Sequence, residues 1–357
     1  RISERLKKDE ISHIPEILYH WRASSKSTAS SLTKKSYVHE AALKTLKDTI
    51  KRRCLKATPK LVDKKNGYWR IAYAIPSDEP LVSILIPTKD RIDLLKTCID
   101  SILKITEYKN FEILILDNDS NEENSHKYFK QVSEIKNIKV IRVKGLFNYS
   151  YINNYGVKLA NGNILAFINN DIEISHPEWL YEMVSHAIRK EIGCVGAKLL
   201  YPNKTIQHAG VIIGIGGVAG HSFKNYPSNH SGYKHRLKLV QNYSAVTAAC
   251  LVVKKEIFEQ VGGFDEENLK VAFNDVDFCL KVLEAGFRNL WTPYAVMIHH
   301  ESASRGLEKT TTQKKRFQKE VLFMQKKWSD TLMKDPFYNP NLTLDSEDFS
   351  LSFPPRS

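Results

Sequence analysis

Short runs of acidic, amide and histidine side chains stand at the ends of apolar segments along this sequence. Carboxylate oxygens and imidazole nitrogens can hold a divalent cation such as Mg²⁺ or Mn²⁺, and such a cation can neutralise a diphosphate. Each run alone also fits a turn or a helix cap, because Asp, Asn and Ser favour both. The candidate chemistry therefore depends on the whole set, which comprises Asp117-Asn118-Asp119-Ser120, Asn169-Asn170-Asp171, Asn274-Asp275-Val276-Asp277 and His299-His300.

Two of these runs contain neighbours that cannot share one role. Asp275 and Asp277 open a predicted helix, where residues two apart diverge by about 200°. One of them can face a site while the other stabilises the helix N-terminus, although a capping role for both also fits. His299 and His300 follow the apolar segment 295–298. If that segment is a strand, they point to opposite faces, so at most one reaches a given site.

The segments that would position these side chains alternate between strand and helix patterns. Four apolar runs suit buried parallel strands, namely 82–86, 112–116, 138–143 and 164–168. With helical periodicity between them, this order predicts an α/β fold with a mostly parallel sheet and helices on both faces. Ligands bind beyond the carboxyl ends of such strands, which is where Asp90, Asp117 and Asp171 fall.

A composition change near Pro76–Pro80 predicts a domain boundary. We expect a mostly helical segment over 1–75, a catalytic domain over 76–306, and a helix with an extended tail over 307–357. Residues 1–80 hold 18 Lys and Arg against 9 Asp and Glu, most of the chain's net charge of +13. This basic flank fits a solvated helical surface, or contact with anionic lipid, a phosphate-bearing acceptor or nucleic acid. No zinc-finger, RNP-type or basic-zipper pattern indicates nucleic acid.

Cysteine usage and hydropathy narrow the protein class. The five cysteines are scattered, odd in number, and form no CxxC pair, which suits a reducing compartment and argues against a cysteine zinc site. No run approaches the roughly 18 apolar residues that span a bilayer. The chain begins at Arg1 without a methionine or a signal peptide, so we expect a fragment of something longer.

With these motifs in place, the sequence closely resembles the family 2 glycosyltransferases, which have the GT-A fold. The resemblance runs from about Val82 to Gly306. Three further stretches resemble the bacterial enzymes that assemble O-antigen, capsule and rhamnose-rich polysaccharides. The matching stretches are Val82–Thr88, Leu116–Ser120, Phe167–Asp171, Val261–Asp265, Asn274–Phe278 and His299-His300, and the narrower ones are Phe147–Ser150, Ile206–Gly210 and Asp335–Pro340.

The resemblance implies an inverting, metal-dependent transfer with Asp275 as the catalytic base. It implies that Asp171 binds Mn²⁺ or Mg²⁺ together with His300 or, as the second choice, His299. Asp117 would contact the nucleotide base. The full set of implied nucleotide contacts is Pro87, Thr88, Asp90, Asp117, Asn148, Asn154 and Asn170. Contacts with the donor or acceptor sugar are expected for Gln207, His208 and Asn274, although a structural hairpin histidine fits His208 equally well.

The resemblance also implies the partners of the enzyme. The donor would be a UDP- or dTDP-linked sugar, and the acceptor a growing glycan that is linked to a lipid. The location would be cytoplasmic, at the inner face of a bacterial membrane. The segment His13–Arg22 resembles the end of another transferase domain and suggests a tandem enzyme. The oligomeric state is left open.

Two departures from the family pattern keep other functions open. The DXD motif reads Asn-Asn-Asp and the Glu-Asp motif reads Asn-Asp, so one carboxylate is missing from each. A GT-A module that binds or scaffolds glycans without turnover therefore remains an alternative. A nucleotidyltransferase is a second one, although such enzymes carry a glycine-rich phosphate loop after the first strand, where this chain has Pro87-Thr88-Lys89-Asp90-Arg91.

Overall fold

The computed structural model describes residues 4–7, 10–16, 18–19, 37–300 and 310–356. The domain end expected at 306 and part of the segment His13–Arg22 lie outside the described residues. The chain divides into two compact units. Unit 1 comprises 1–74, 339–343 and 351–357, and unit 2 comprises 75–338 and 344–350.

Helices and strands alternate through most of unit 2. The helices of the described residues are α1 (Val38–Arg52), α2 (Ile92–Ile105), α3 (Glu123–Val132), α4 (Tyr149–Leu159), α5 (Trp179–Ala187), α6 (Lys255–Gln260), α7 (Asn274–Glu284), α8 (Thr311–Lys327) and α9 (Ser329–Met333). The strands are β1 (Ala57–Asp63), β2 (Tyr68–Tyr73), β3 (Val82–Thr88), β4 (Phe111–Asp117), β5 (Ile138–Arg142), β6 (Ile164–Ile168), β7 (Ile172–Ile174), β8 (Ile192–Leu200), β9 (Ile206–His208), β10 (Val211–Ile213), β11 (Ala219–His221), β12 (Gln241–Tyr243), β13 (Cys250–Lys254) and β14 (Arg288–His299).

The central sheet of unit 2 has the order β12-β14-β8-β13-β6-β3-β4-β5. Its half around β3 is parallel, because β3 pairs with β4 and β6, and β4 pairs with β5, all in parallel. The other half is mixed, since β13 runs antiparallel to both β6 and β8 while β14 is parallel to β8. The carboxyl ends of β3, β4 and β6 therefore meet at one edge of the sheet, as the sequence pattern predicts.

Helices cover both faces of this sheet. On one face, α2 and α5 bury Leu95, Ile99 and Met183 against the apolar strand residues. On the other face, Phe167 of β6 packs against Phe258 of α6 with ring centroids 5.3 Å apart. The predicted α/β architecture with helices on both faces is confirmed.

Unit 1 contains a β-hairpin that the expectation of a mostly helical segment over 1–75 missed. Strands β1 and β2 pair antiparallel. Asp63 accepts hydrogen bonds from the backbone and side-chain amides of Asn66, and Gly67 has φ +68°. An Asn-Gly pair between alternating apolar residues is a strong hairpin signal, so the signal was present in the sequence.

Within the described residues, no helix combines the length and the apolar character needed to cross a membrane.

The first prediction concerns independence of the two units. The hydrophobic core around the central sheet of unit 2 is formed by residues between Val82 and Met297, so we expect a chain that begins at Ile75 to fold and bind nucleotide. Circular dichroism during thermal unfolding and titration with UDP, dTDP and Mn²⁺ would check this. A soluble, cooperatively folded truncation that binds neither nucleotide, where the full chain binds one, would contradict it.

Candidate active site

Asp171 lies in a tight turn at the carboxyl end of β6. The Asn169 amide donates to the Ala249 carbonyl at 3.0 Å, and the Ile172 amide donates back to the Asn169 carbonyl at 3.2 Å. The chain then enters β7, which pairs antiparallel with the last residues of β14. This pairing brings Nε2 of His299 to 3.2 Å from Oδ1 of Asp171, and both side chains are more than nine-tenths buried.

The two neighbouring histidines meet different acids. Nε2 of His300 lies 2.9 Å from Oε2 of Glu173, and its side chain is 31% exposed. The His300 backbone amide donates to the Asp171 carbonyl at 2.9 Å. The sequence-based expectation preferred His300 as the metal ligand, whereas the structure places the His299 imidazole beside Asp171. Alternation of side chains along β14 separates the two histidines.

The pair Asp171 and His299 fits a divalent cation as two neighbouring ligands. Metal–oxygen bonds of about 2.0–2.1 Å at right angles place adjacent ligand atoms about 3 Å apart, close to the observed 3.2 Å. Carboxylate oxygen suits Mg²⁺ and Mn²⁺, and imidazole nitrogen binds several first-row divalent metals. Among the described residues no group of three or more His, Cys, Asp or Glu could hold a metal. A cation here would therefore need further oxygen ligands, which a diphosphate supplies.

Asp275 lies at the first turn of α7 and is held by two backbone amides. Its Oδ2 accepts from Ala248 N–H at 3.0 Å and its Oδ1 from Val276 N–H at 2.9 Å. The side chain is half-buried. The Ala248 carbonyl accepts from the Tyr149 hydroxyl at 3.0 Å. Burial, reinforced by the charges of Asp275 and Asp171, raises the pKa of Tyr149. The partly buried Tyr149 hydroxyl thus lies within the electrostatic influence of both acids.

Asp277, on the same helix as Asp275, makes a different set of contacts. It is fully buried, and its Oδ1 accepts from Lys327 Nζ at 2.6 Å and from Trp328 Nε1 at 2.8 Å. These contacts fasten α7 to the end of α8. The side chains of Asp275 and Asp277 thus point in different directions, as expected for residues two apart on a helix.

The end of β3 meets the residue that precedes Asp171. Nδ2 of Asn170 donates to Oγ1 of Thr88 at 3.0 Å. Pro87, Thr88 and Asn170 are all buried. The Asn170–Thr88 hydrogen bond thus links the end of β3 to the turn that holds Asp171, while the nucleotide contacts of Pro87, Thr88 and Asn170 stay a prediction.

The turn after β4 is built by carboxylates that bind its own backbone and one arginine. Asp117 is buried; its Oδ1 accepts from Ser120 N–H at 2.9 Å and its Oδ2 from Arg142 at 2.7 Å. Asp119, which belongs to the first acidic run but is not among the implied nucleotide contacts, accepts from Gly145 N–H and is 33% exposed. The Gly145 amide and Arg142 hold the pKa of Asp119 below its usual value. Asp119 therefore presents the more accessible carboxylate of this turn.

Asp90 supports the same turn from the β3 side. Its Oδ1 accepts from the amides of Asn121 and Glu122 and from the hydroxyl of Ser125. Partial burial opposes ionisation of Asp90, yet these hydrogen bonds keep its pKa below the usual value. Asp90 is thus engaged as a cap for the start of α3.

Two of the expected nucleotide contacts fasten a loop instead. Asn148 donates to the Glu266 carbonyl at 2.8 Å and caps α4 through Tyr151 N–H. Asn154 accepts from Phe264 N–H and donates to the Phe264 carbonyl. Since these protein contacts use the donor and acceptor sides of both amides, the structure gives Asn148 and Asn154 a structural role. Asn and Ser after a loop predict a cap and a nucleotide contact equally, so the sequence could not separate the two.

The residues expected to contact sugars are buried. Nδ1 of His208 lies 2.8 Å from Nδ1 of His221, and its Nε2 accepts from Thr247 N–H at 3.5 Å. His208 thus reaches the segment 247–249, which also holds Asp275 and Asn169. Asn274 donates to the Val271 carbonyl at 3.1 Å. Within the described part of the chain, the buried Gln207 Oε1 has no hydrogen-bond partner.

The second prediction follows from the buried His208. Burial, with the nearby His221 and His299, holds the pKa of His208 well below its usual value. Below about pH 6.5 the unfolded chain binds a proton that the folded His208 does not, so the free energy of unfolding falls with the pH. We expect His208→Gln to flatten this fall between pH 6.5 and 5, as measured by urea denaturation.

The exposed His126 of α3 offers a matched control for this experiment. His126→Gln, which removes a histidine from an exposed position, should flatten the fall less than His208→Gln does. An unchanged slope in His208→Gln would show that His208 does not titrate in this way.

The comparisons with known proteins agree with this fold. The sequence model described as "Glycosyl transferase family 2" matches residues 83–262, half of the chain. The chain belongs to glycosyltransferase family 2. A solved structure of another glycosyltransferase, described as GalNAc-T7 with UDP, GalNAc and Mn²⁺, superposes with a TM-score of 0.59 at 14% identity. The superposition covers 80% of this chain and 55% of the GalNAc-T7 chain. This similarity identifies the fold as GT-A.

Two curated relatives of this family 2 chain match almost its whole length. The protein y4gI of Sinorhizobium fredii is 47% identical over 99% of this chain and 39% of its own length. The O-antigen biosynthesis protein RfbC of Myxococcus xanthus is 36% identical over 98% of this chain and 27% of its own length. The chain therefore spans well under half of either relative.

Proposed function

We propose that this domain is an inverting, metal-dependent glycosyltransferase that moves a sugar from a nucleotide diphosphate to a growing bacterial surface polysaccharide. The proposal depends on one observation: the backbone of Ala248 and Ala249 binds both the Asp275 side chain and the turn of Asp171. The Ala248 amide binds the Asp275 carboxylate, and the next carbonyl, of Ala249, binds the turn that ends in Asp171. A base and a metal-binding acid are thus held on adjacent residues of the same backbone.

Asp275 would act as the general base. A sugar hydroxyl has a very high pKa, so a positioned base must take its proton as the new bond forms. The acceptor oxygen attacks the anomeric carbon while the bond to the diphosphate oxygen breaks on the opposite side, which inverts the configuration. The amides of Ala248 and Val276 fix the direction of the Asp275 carboxylate and leave its remaining lone pairs for the acceptor.

Asp171 and His299 would hold Mn²⁺ or Mg²⁺. When bound, the cation stabilises the negative charge of the departing diphosphate. The His300 amide and the β7–β14 pairing keep the Asp171 turn in place. His299, rather than His300, is our choice for the imidazole ligand because it is the histidine beside Asp171.

The substrates are proposed from the site and from the relatives. Thr88, Asn170 and the turn at Asp117–Asp119 line the edge of the sheet where a nucleotide would bind. The likeness to RfbC supports a bacterial polysaccharide as the product. A UDP- or dTDP-linked donor, a lipid-linked acceptor, a cytoplasmic location and membrane contact through the basic N-terminal segment stay predictions.

The main alternative is a glycan-binding module without catalytic activity. The third prediction distinguishes this module from an active transferase. We expect the chain to release UDP from UDP-glucose, or dTDP from dTDP-rhamnose, in the presence of Mn²⁺, with water as a slow acceptor. The released nucleotide would be measured by a coupled assay, with Asp275→Asn as the control for contaminating hydrolase. Binding of a nucleotide without release above this control would favour the non-catalytic module.

A further inference from the structure

Helix α8 contacts the segment around Asp275 from both sides. The α8 residues belong to unit 2, as does the segment 271–277. Their contacts fall at Val271 and Phe273, before Asp275, and at Asp277, after it. Asp275, the base of the proposed reaction, is thus flanked in sequence by residues that contact α8 or Trp328, the residue that follows α8.

The contact before Asp275 is made by a buried carboxylate. Glu320 is 1% exposed, and its Oε1 accepts from Val271 N–H at 2.9 Å. Arg316, one turn earlier on α8, lies 3.5 Å from the other oxygen of Glu320. The ring of Phe317, on the same helix, packs against Phe273 with centroids 5.6 Å apart.

Phe273 shows why the segment needs this support. Its φ of +59° lies in the left-handed region, which a bulky residue rarely adopts and which persists only where the surroundings enforce it. Phe273 stands two residues before Asp275 and is the N-cap residue of α7. Because the Val271 amide and the Phe273 ring both bind α8, the helix fixes the backbone that aims Asp275.

The contact after Asp275 uses a second buried carboxylate. Asp277 accepts from Lys327 and Trp328. Buried carboxylates add little net stability compared with apolar packing of the same volume. They do fix direction, because a hydrogen bond to a charged group is short and oriented. Two buried carboxylates, one on either side of the half-buried Asp275, can therefore position this acid.

We propose that Glu320 is a positioning residue for Asp275, acting through Val271 and Phe273. This inference rests on the proposed role of Asp275 as the base. Removal of the Glu320 carboxylate leaves the Val271 amide without its acceptor and lets Phe273 leave the left-handed region. Asp275 then loses its alignment, and a displacement of about 1 Å can cost on the order of 10²-fold in rate.

The test is a double-mutant cycle between Glu320 and Asp275. Release of UDP from UDP-glucose or of dTDP from dTDP-rhamnose is measured with enzyme in excess, so that slow variants can be followed. Binding of UDP and dTDP with Mn²⁺ is measured by calorimetry. We expect Glu320→Ala to lower the rate constant at least about tenfold at unchanged nucleotide affinity. In the Asp275→Asn background the same substitution should have no further effect, because it acts through the base.

Three further variants make the result specific. Glu320→Gln keeps an oxygen that can accept from Val271 N–H, so it should restore the rate to within about threefold of wild type. Gln318→Ala, at an exposed position of the same helix, should change nothing. If Glu320→Ala does not fold, Phe317→Ala serves in its place, because that ring is 39% exposed and its loss removes the contact with Phe273.

The outcomes separate this inference from the proposed function. An equal rate loss in the wild-type and Asp275→Asn backgrounds would overturn the positioning role while leaving the base assignment intact. A wild-type rate in both Glu320→Ala and Phe317→Ala would overturn it too. A wild-type rate in Asp275→Asn itself, or no release by the wild-type chain, would remove the base and this inference with it.

Discussion

Asp275→Asn is expected to reduce sugar transfer by at least about 100-fold while the affinity for the nucleotide sugar stays near that of wild type. General bases contribute roughly 10²- to 10⁴-fold in rate. The asparagine keeps the size of the side chain and an oxygen that can accept from Ala248 N–H, but it cannot take a proton. The melting temperature should therefore stay close to that of wild type. Steady-state rates and calorimetric affinities for the same nucleotide sugar would show this separation.

Asp277→Asn is the matched control, since it changes the same residue type on the same helix. Asp277 is buried against Lys327 and Trp328, so its substitution should lower the melting temperature and affect the rate less. Breaking a buried ion pair from one side costs about 3–5 kcal/mol. A wild-type rate in Asp275→Asn together with a large rate loss in a folded Asp277→Asn would show that Asp277 is the base. If neither substitution affects turnover, the inverting mechanism is wrong.

Asp171→Ala is expected to weaken the binding of UDP or dTDP in the presence of Mn²⁺ by at least about 100-fold. The reason is that Asp171 supplies the only carboxylate of the Asn-Asn-Asp motif, and the cation would otherwise have only His299 from the chain. Without the cation, the charges of the diphosphate would face the site without compensation. Titration calorimetry of both nucleotides, with Mn²⁺ and again with EDTA, would measure the effect. Equal affinity of the wild-type chain with Mn²⁺ and with EDTA would contradict the metal assignment.

The two neighbouring histidines give this experiment its internal control. We expect His299→Ala to weaken metal-dependent binding and His300→Ala to change it much less, because His300 faces Glu173. The reverse order would restore His300, the histidine that the family resemblance favours, as the ligand.

Much of the fold follows from local sequence signals. The apolar runs of β3, β4 and β6 predict buried parallel strands because such strands are covered on both faces. The acidic turns after them predict the edge at which Asp171 lies. Strand β13 is antiparallel to both of its neighbours, and nothing in its own five residues distinguishes that direction. The hairpin β1–β2 had a signal at Asn66-Gly67, but the lysines around it resemble the charged helix before it.

The candidate site shows a similar limit. That Asp275 and Asp277 diverge follows from helix geometry alone. The choice between His299 and His300 depends on the register of β7 against β14, which is a long-range pairing that no local pattern encodes. His221, which lies in a glycine-rich stretch, contacts His208. Glu320 binds Val271, which is 49 positions away in the sequence. Residues of this kind become visible only when the fold brings them together.

The central claim is that the edge formed by Asp171, His299 and Asp275 binds a nucleotide sugar together with a divalent cation. The most direct measurement is thermal unfolding of the chain in a panel of UDP-, dTDP- and GDP-linked sugars, each with Mn²⁺ and with EDTA. A ligand that binds only the folded state at 100 times its Kd stabilises it by about 2.7 kcal/mol, which raises the melting temperature by several degrees. We predict such a rise for at least one nucleotide sugar with Mn²⁺, and its absence with EDTA and in Asp171→Ala. No rise with any donor, or the same rise with EDTA, would contradict the account.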